Sequence, residues 1–122
     1  MVDNNIKHWH DSHLVNRKEV IDNIPNNKVF DKASYTFKLI SDPSRLKILW
    51  LLCHYEMCVN DLSISLNMSS PSVSHHLKLL KQAELIESRR QGKEMYYSLS
   101  KNNESNILHT SLDDILEIKC PK

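Results

Sequence analysis

The stretch SSPSVSHHLKLLKQAELIESRRQGKEMYYSL, residues 69–99, decides how this chain is read. Its first half has a helical period: Val73, Leu77 and Leu80 recur at i, i+4 and i+7 and mark a buried stripe, while Ser70, Ser74, His75 and Lys78 turn outward. Ser69 carries a good N-cap side chain. The second half reads as two strands, LIESRR and EMYYSL, flanking Gln91-Gly92-Lys93, where Gly92 supplies the positive φ of a hairpin turn. A helix with a polar N-terminal end, followed by a basic hairpin, is therefore predicted.

Upstream, a shorter helix over about Cys58 to Leu66 carries Leu62 and Leu66 and breaks at Asn67-Met68-Ser69, so that two helices joined by a tight turn predict helix-turn-helix. Before it, Asp42 can cap and Pro43 can open a helix running to about His54, in which Leu46, Leu49, Trp50 and Cys53 form a stripe expected to be buried. Phe30, Ala33, Phe37 and Ile40 share one face of a helix that begins near Val29. Downstream, a last helix from about Asn103 to Lys119 carries the apolar seam Leu108, Leu112, Ile115 and Leu116. In so small a domain that seam calls for a partner, and a homodimer is expected. The expected fold class is mainly α with a small β-hairpin, a winged helix-turn-helix. The expected organisation is an N-terminal arm over 1–27, a DNA-binding and dimerisation domain over 28–119 and a tail over 120–122.

Composition narrows the function. A chain of 122 residues with 40% hydrophobic content builds one small domain rather than a multidomain enzyme. The net charge of +1 sums unlike parts: residues 69–101 hold six Lys or Arg against three Glu, and residues 102–122 hold four acids against two Lys. No apolar run approaches the ~18 to 20 residues of a membrane span, and no secretory signal opens the chain, so a soluble, cytoplasmic protein is expected. The three cysteines are too few for a disulfide scaffold. Gly92 is the single glycine, which leaves no phosphate-cradling loop and no expectation of a nucleotide cofactor.

A recognition helix offers short polar side chains to base edges while cations around it hold phosphates. Ser70, Ser72, Ser74 and His75 are the candidates for the first role, and Lys78, Lys81, Arg89, Arg90 and Lys93 for the second, with double-stranded DNA as the partner. His75 and His76 make a poor metal pair, because adjacent helical residues point about 100° apart.

The segment HWHDSH, residues 8–13, places His8, His10 and His13 close together, but a closed zinc site needs about four donors. It brushes against the His-x-His-x-Asp-His motif of metallo-β-lactamase-like hydrolases. Ser12 stands where that motif has Asp, and that fold needs a larger β-rich body, so no enzyme is expected.

The ordered segments SDPSRLKILWLL (41–52), EMCVNDLS (56–63) and SPSVSHHLKLLKQAELIESRRQGKEMYYSLS (70–100) resemble the ArsR/SmtB family of bacterial metal-sensing repressors over roughly residues 29–117. The resemblance implies a homodimeric winged helix-turn-helix that occupies an inverted-repeat operator when metal-free and leaves it when metal binds. In this family the helix before the recognition helix often begins with two thiolates, or one, followed by Asp; here it reads Cys58-Val59-Asn60-Asp61, with one thiolate kept. Cys58 and Asp61, three apart, share a helical face. The resemblance implies that arm ligands of one subunit complete this site on the other. The expected set is Cys58, Asp61 and two of His8, His10 and His13, with zinc as inducer and cobalt, nickel or cadmium as alternatives. A second family site across the last helices maps onto Lys101, Asn103, Asp114 and Glu117, and its first pair lacks donors. His109, Asp113 and Glu117 do align at i, i+4 and i+8, a weak ion site or a solvated face. The alternative function is a repressor of the same fold that senses oxidants or sulfur species through cysteine, although Cys53, Cys58 and Cys120 present no ready disulfide pair.

Overall fold

Capping and apolar spacing account for most of the elements. The structure, a computed structural model, describes residues 16–101 and 103–116, apart from the side chains of 103, 104, 105 and 107. His8, His10, His13, Glu117, Cys120, the tail 120–122 and the predicted extension of the last helix to Lys119 lie outside the described residues.

The described residues divide into two compact units, one ending at Ser34 and the other beginning at Tyr35. In the first, Asn16 caps the short helix α1 (Arg17–Asp22), its side chain accepting from the Glu19 amide at 2.8 Å, and α1 buries no residue. Helix α2 (Asn27–Ile40) starts in this unit, where the Asn26 side chain accepts from the Val29 amide at 3.1 Å, and ends in the second.

In the second unit Asp42 accepts from the Arg45 amide at 3.0 Å and Pro43 sits in the first turn of α3 (Pro43–Leu52), as capping chemistry predicts. There follow β1 (Met57–Cys58), α4 (Val59–Leu66), α5 (Ser70–Gln82), β2 (Ile86–Gln91), β3 (Glu94–Leu99) and α6 (Asn103–Leu116). The sheet is antiparallel in the order β1-β3-β2, with Cys58 opposite Tyr96 and Arg89 opposite Tyr96 on its other side. Gln91 pairs with Glu94 across a two-residue turn in which Gly92 adopts φ +64°, the left-handed conformation that a β-carbon disfavours. Ile48, Leu49, Leu62, Val73, Leu77 and Leu80 are fully buried and form one core with Leu52, Leu85, Ile86 and Leu112. Among the described residues no helix is long and apolar enough to cross a membrane.

Two turns hold the helix pair in place. Asn67 takes φ 53° after α4, and the Met68 amide reaches the Ser63 carbonyl at 3.0 Å. Glu84 takes φ 62° after α5, where the Glu84 amide donates to Lys81 and the Leu85 amide to Leu80, at 3.0 and 3.1 Å. Both are Schellman-type closures, which consume carbonyls that a helix end otherwise leaves unpaired.

Several expectations need adjustment. In α3 the buried residues are Ile48, Leu49 and Leu52, while Leu46, Trp50 and Cys53 are half-buried. A central helix packed on more than one side has no single stripe for periodicity to find. The helix expected from Cys58 begins at Val59, with Cys58 as its N-cap and the end of β1. That strand is two residues long, too short to show alternation. On α2 the shared face is exposed at Phe30 and Phe37, the latter at 68%.

Candidate nucleic-acid interface and metal-ligating residues

Helix α5 is anchored by what it buries. Val73, Leu77 and Leu80 enter the core, which leaves Ser70, Ser74, His75, Lys78 and Lys81 exposed and Ser72 half-buried. Ser69 caps the helix by accepting from the Ser72 amide at 3.2 Å. Pro71 has no N–H and the Ser72 amide is taken by the cap, so this helix end meets an anion chiefly through its side chains rather than its amides.

A clip that the periodicity did not reveal fixes this helix from behind. Arg45 on α3 donates through Nε to the Leu39 carbonyl at 2.7 Å and through Nη1 to Nδ1 of His76 at 3.1 Å. Burial, then the nearby Arg45 charge, lowers the His76 pKa, with Asp42 opposing; a ring that accepts from Arg45 at Nδ1 must be unprotonated there. His76 is thus a structural link, and its neighbour His75 faces out.

The wing distributes its cations unequally. Arg90 and Lys93 are exposed at its outer end. Arg89 instead makes a two-pronged ion pair with Glu56, Nε to Oε2 and Nη2 to Oε1 both at 2.8 Å, donates to Gln91 Oε1 at 2.7 Å and lies 5.5 Å from the Tyr96 ring centroid. Hydrogen bonding to Arg89 lowers the Glu56 pKa and raises that of Arg89. Lys81 donates to Ser88 Oγ at 2.6 Å, tying α5 to β2. Lys81 and Arg89 therefore brace the wing, whereas Lys78, Arg90 and Lys93 present charge to solvent.

The predicted metal donors are brought together only in part. Cys58 is buried, at 5% exposure, and its amide donates to Asp61 Oδ2 at 3.3 Å in a capping box at the start of α4. A thiol and a carboxylate are donors that zinc accepts, but the pair supplies two of the roughly four needed. Among the described residues, the group of three potential ligands is a different one: His54, His109 and Asp113, whose donor atoms lie within 4.8 Å of one another. Sequence reading had joined His109 and Asp113 by helical spacing and missed His54, which only the packing of α3 beside α6 brings to them.

This arrangement matches known regulators. Residues 42–88 match the profile of the bacterial regulatory protein, arsR family. The transcriptional repressor SmtB homolog of Synechocystis is 34% identical over 110 residues, spanning 88% of this chain and 83% of that protein. The chain belongs to the ArsR family. The transcriptional repressor SdpR of Bacillus subtilis is 53% identical over 64 residues, 52% of this chain and 71% of its own. Among solved structures, the homodimeric winged helix-turn-helix DNA-binding domain of a possible ArsR-family regulator from Mycobacterium bovis superposes with a TM-score of 0.66 at 25% identity, covering 77% of this chain and 88% of that one.

As an ArsR-family protein with the winged helix-turn-helix fold, the chain is a DNA-binding regulator of the transcriptional-repressor type rather than an enzyme. Arg45, Glu56 and Tyr96, which the sequence does not single out, and His76, weighed there only beside His75, position α5 and the wing. Opposite charge was the only signal for the Glu56–Arg89 pair, and a separation of 33 residues hides it.

Proposed function

We propose that this chain represses transcription by binding an inverted-repeat operator as a homodimer and is released by a divalent metal, zinc first among the candidates. Ser70, Ser72, Ser74 and His75 face base edges, and Lys78, Lys81, Arg89, Arg90 and Lys93 supply the positive field along the phosphates, the exposed Lys78, Arg90 and Lys93 most directly. Metal is taken up by Cys58 and Asp61 with two of His8, His10 and His13 from the partner's arm. The arm 1–27, the domain 28–119 and the tail 120–122 divide the labour accordingly, in a cytoplasmic protein.

The observation that carries the reading is the pairing of Cys58 and Asp61 at the start of α4, the helix joined to the recognition helix by the Asn67 turn. Metal bound there alters the helix pair that meets DNA, and operator affinity falls by the coupling energy between the sites, typically ~1 to 3 kcal/mol. Fluorescence anisotropy with DNA from upstream of the chain's own gene, at fixed salt, tests this with chelator and then graded zinc. Release at stoichiometric zinc, lost in Cys58→Ser, is expected. Tight binding indifferent to zinc, cobalt, nickel and cadmium would overturn the metal response and turn attention to thiol oxidation.

A further inference from the structure

We infer that His54, His109 and Asp113 form a second divalent-metal site within one chain, separate from the Cys58–Asp61 site and independent of whether that site exists. The three donors come from two elements. His54 follows the end of α3, and His109 and Asp113 stand one turn apart on α6. Leu112, between the latter two in sequence, is buried in the core and Leu108 packs against it, so the register of α6 is set by packing rather than by the polar groups.

The geometry is close to that of a bound ion. Zinc–nitrogen and zinc–oxygen bonds of about 2.0 to 2.2 Å put tetrahedral neighbours roughly 3.3 to 3.6 Å apart. His109 Nε2 and Asp113 Oδ2 are already at 3.4 Å, and the whole set lies within 4.8 Å, so closure takes about an ångström of side-chain rotation.

The surrounding bonds orient the ligands. Nδ1 of His54 lies 2.8 Å from the Trp50 carbonyl, which can only accept, so that nitrogen donates and Nε2 is the ring atom that would ligate a metal. Trp50 Nε1 donates to Asp113 Oδ1 at 3.4 Å, and the His54 and His109 rings meet edge-on with centroids 5.1 Å apart. A ligating imidazole whose other nitrogen donates to a backbone carbonyl, beside a carboxylate that is itself hydrogen-bonded, is the supporting shell that metal centres use.

Two imidazoles and one carboxylate, all half-buried, select the chemical class. Nitrogen ligands favour zinc, cobalt or nickel over calcium and magnesium, which require oxygen cages, and the absence of sulfur from the set disfavours cadmium and arsenic. Water would complete the coordination. A bound ion would pin the end of α3 to α6, the helix that carries the exposed Ile115 and Leu116.

Cobalt titration of the full chain tests the site, with visible absorption read in a background carrying Cys58→Ser and alanine at positions 8, 10 and 13. One equivalent per chain is expected to remain there, weakened at least tenfold by His54→Ala or His109→Ala. An absent equivalent, or one unaffected by both substitutions, overturns the inference. In the unsubstituted protein, zinc should shift the ring nitrogen resonances of His54 and His109, a readout immune to variants that fold poorly; unmoved resonances also overturn it. If instead the unsubstituted chain binds a single equivalent that Cys58→Ser leaves and His109→Ala removes, this site stands and the arm site falls.

Discussion

Helices α5 and α6 are almost equal in length, 13 and 14 residues, and both carry leucines at helical spacing, yet their own chain completes only one of them. Val73, Leu77 and Leu80 of α5 disappear into the core. On α6, Leu112 is buried and Leu108 half-buried, but Leu116 is exposed and Ile115 is 76% exposed. The difference separates two kinds of surface. The outward face of α5 is polar because its apolar work is finished, which leaves serine, histidine and lysine exposed on the face proposed to meet DNA. The end of α6 is apolar and open, and it is the face proposed to meet a second copy.

This contrast is broken most severely at Leu77, which is 1% exposed. Leu77→Ala should cost about 2 to 5 kcal/mol, because it leaves a cavity under the reading helix, and urea unfolding measures it. Ile115→Glu should instead change the unfolding of the single chain by under about 1 kcal/mol. Its expected effect is on assembly: sedimentation should show monomer, with operator affinity at least tenfold lower. A dimer unchanged by the substitution would remove α6 from the interface.

On the polar side, Arg90→Ala and Lys93→Ala should each lower the slope of log affinity against log salt by about one, weakening all sequences alike. Arg89→Ala should lower it less, since Glu56 and Gln91 already occupy that guanidinium, and should loosen the wing instead. A full unit of slope lost with Arg89 would mean that DNA displaces Glu56.

Smaller effects come from the joints. Glu84 holds φ 62°, and Glu84→Gly should stabilise by about 0.5 to 1 kcal/mol, the left-handed penalty of roughly 1 to 2 less the entropy that glycine loses on folding. His76 has a lowered pKa in the fold, so the unfolded chain binds its proton first as pH falls. Stability should therefore be full above the ordinary imidazole range near pH 6.5 and decline as pH drops from there toward the depressed native value. His76→Gln should flatten that part of the pH profile in thermal unfolding.

How far each feature could be foreseen follows the range of the interactions that make it. The caps Asp42 and Ser69, the α5 stripe and the Gly92 turn are local, involving residues at most seven apart, and reading the chain in order finds them. Helix α3 was misread in detail because several neighbours surround it, and β1 because two residues carry no period. The Arg45–His76 clip and the Glu56–Arg89 brace join residues 31 and 33 apart, and nothing in their local sequence announces them.

The amino-acid order by itself determined the succession of helices and hairpin, the polar reading face and the resemblance that places the chain among ArsR-family repressors, because apolar period, capping and turn chemistry act over short distances. Tertiary structure alone decided which cations brace the wing and which face outward, and that His54 meets His109 and Asp113 across 55 residues of chain. Those outcomes depend on how buried leucines stack the helices, and only after that packing is complete do distant polar groups acquire their partners.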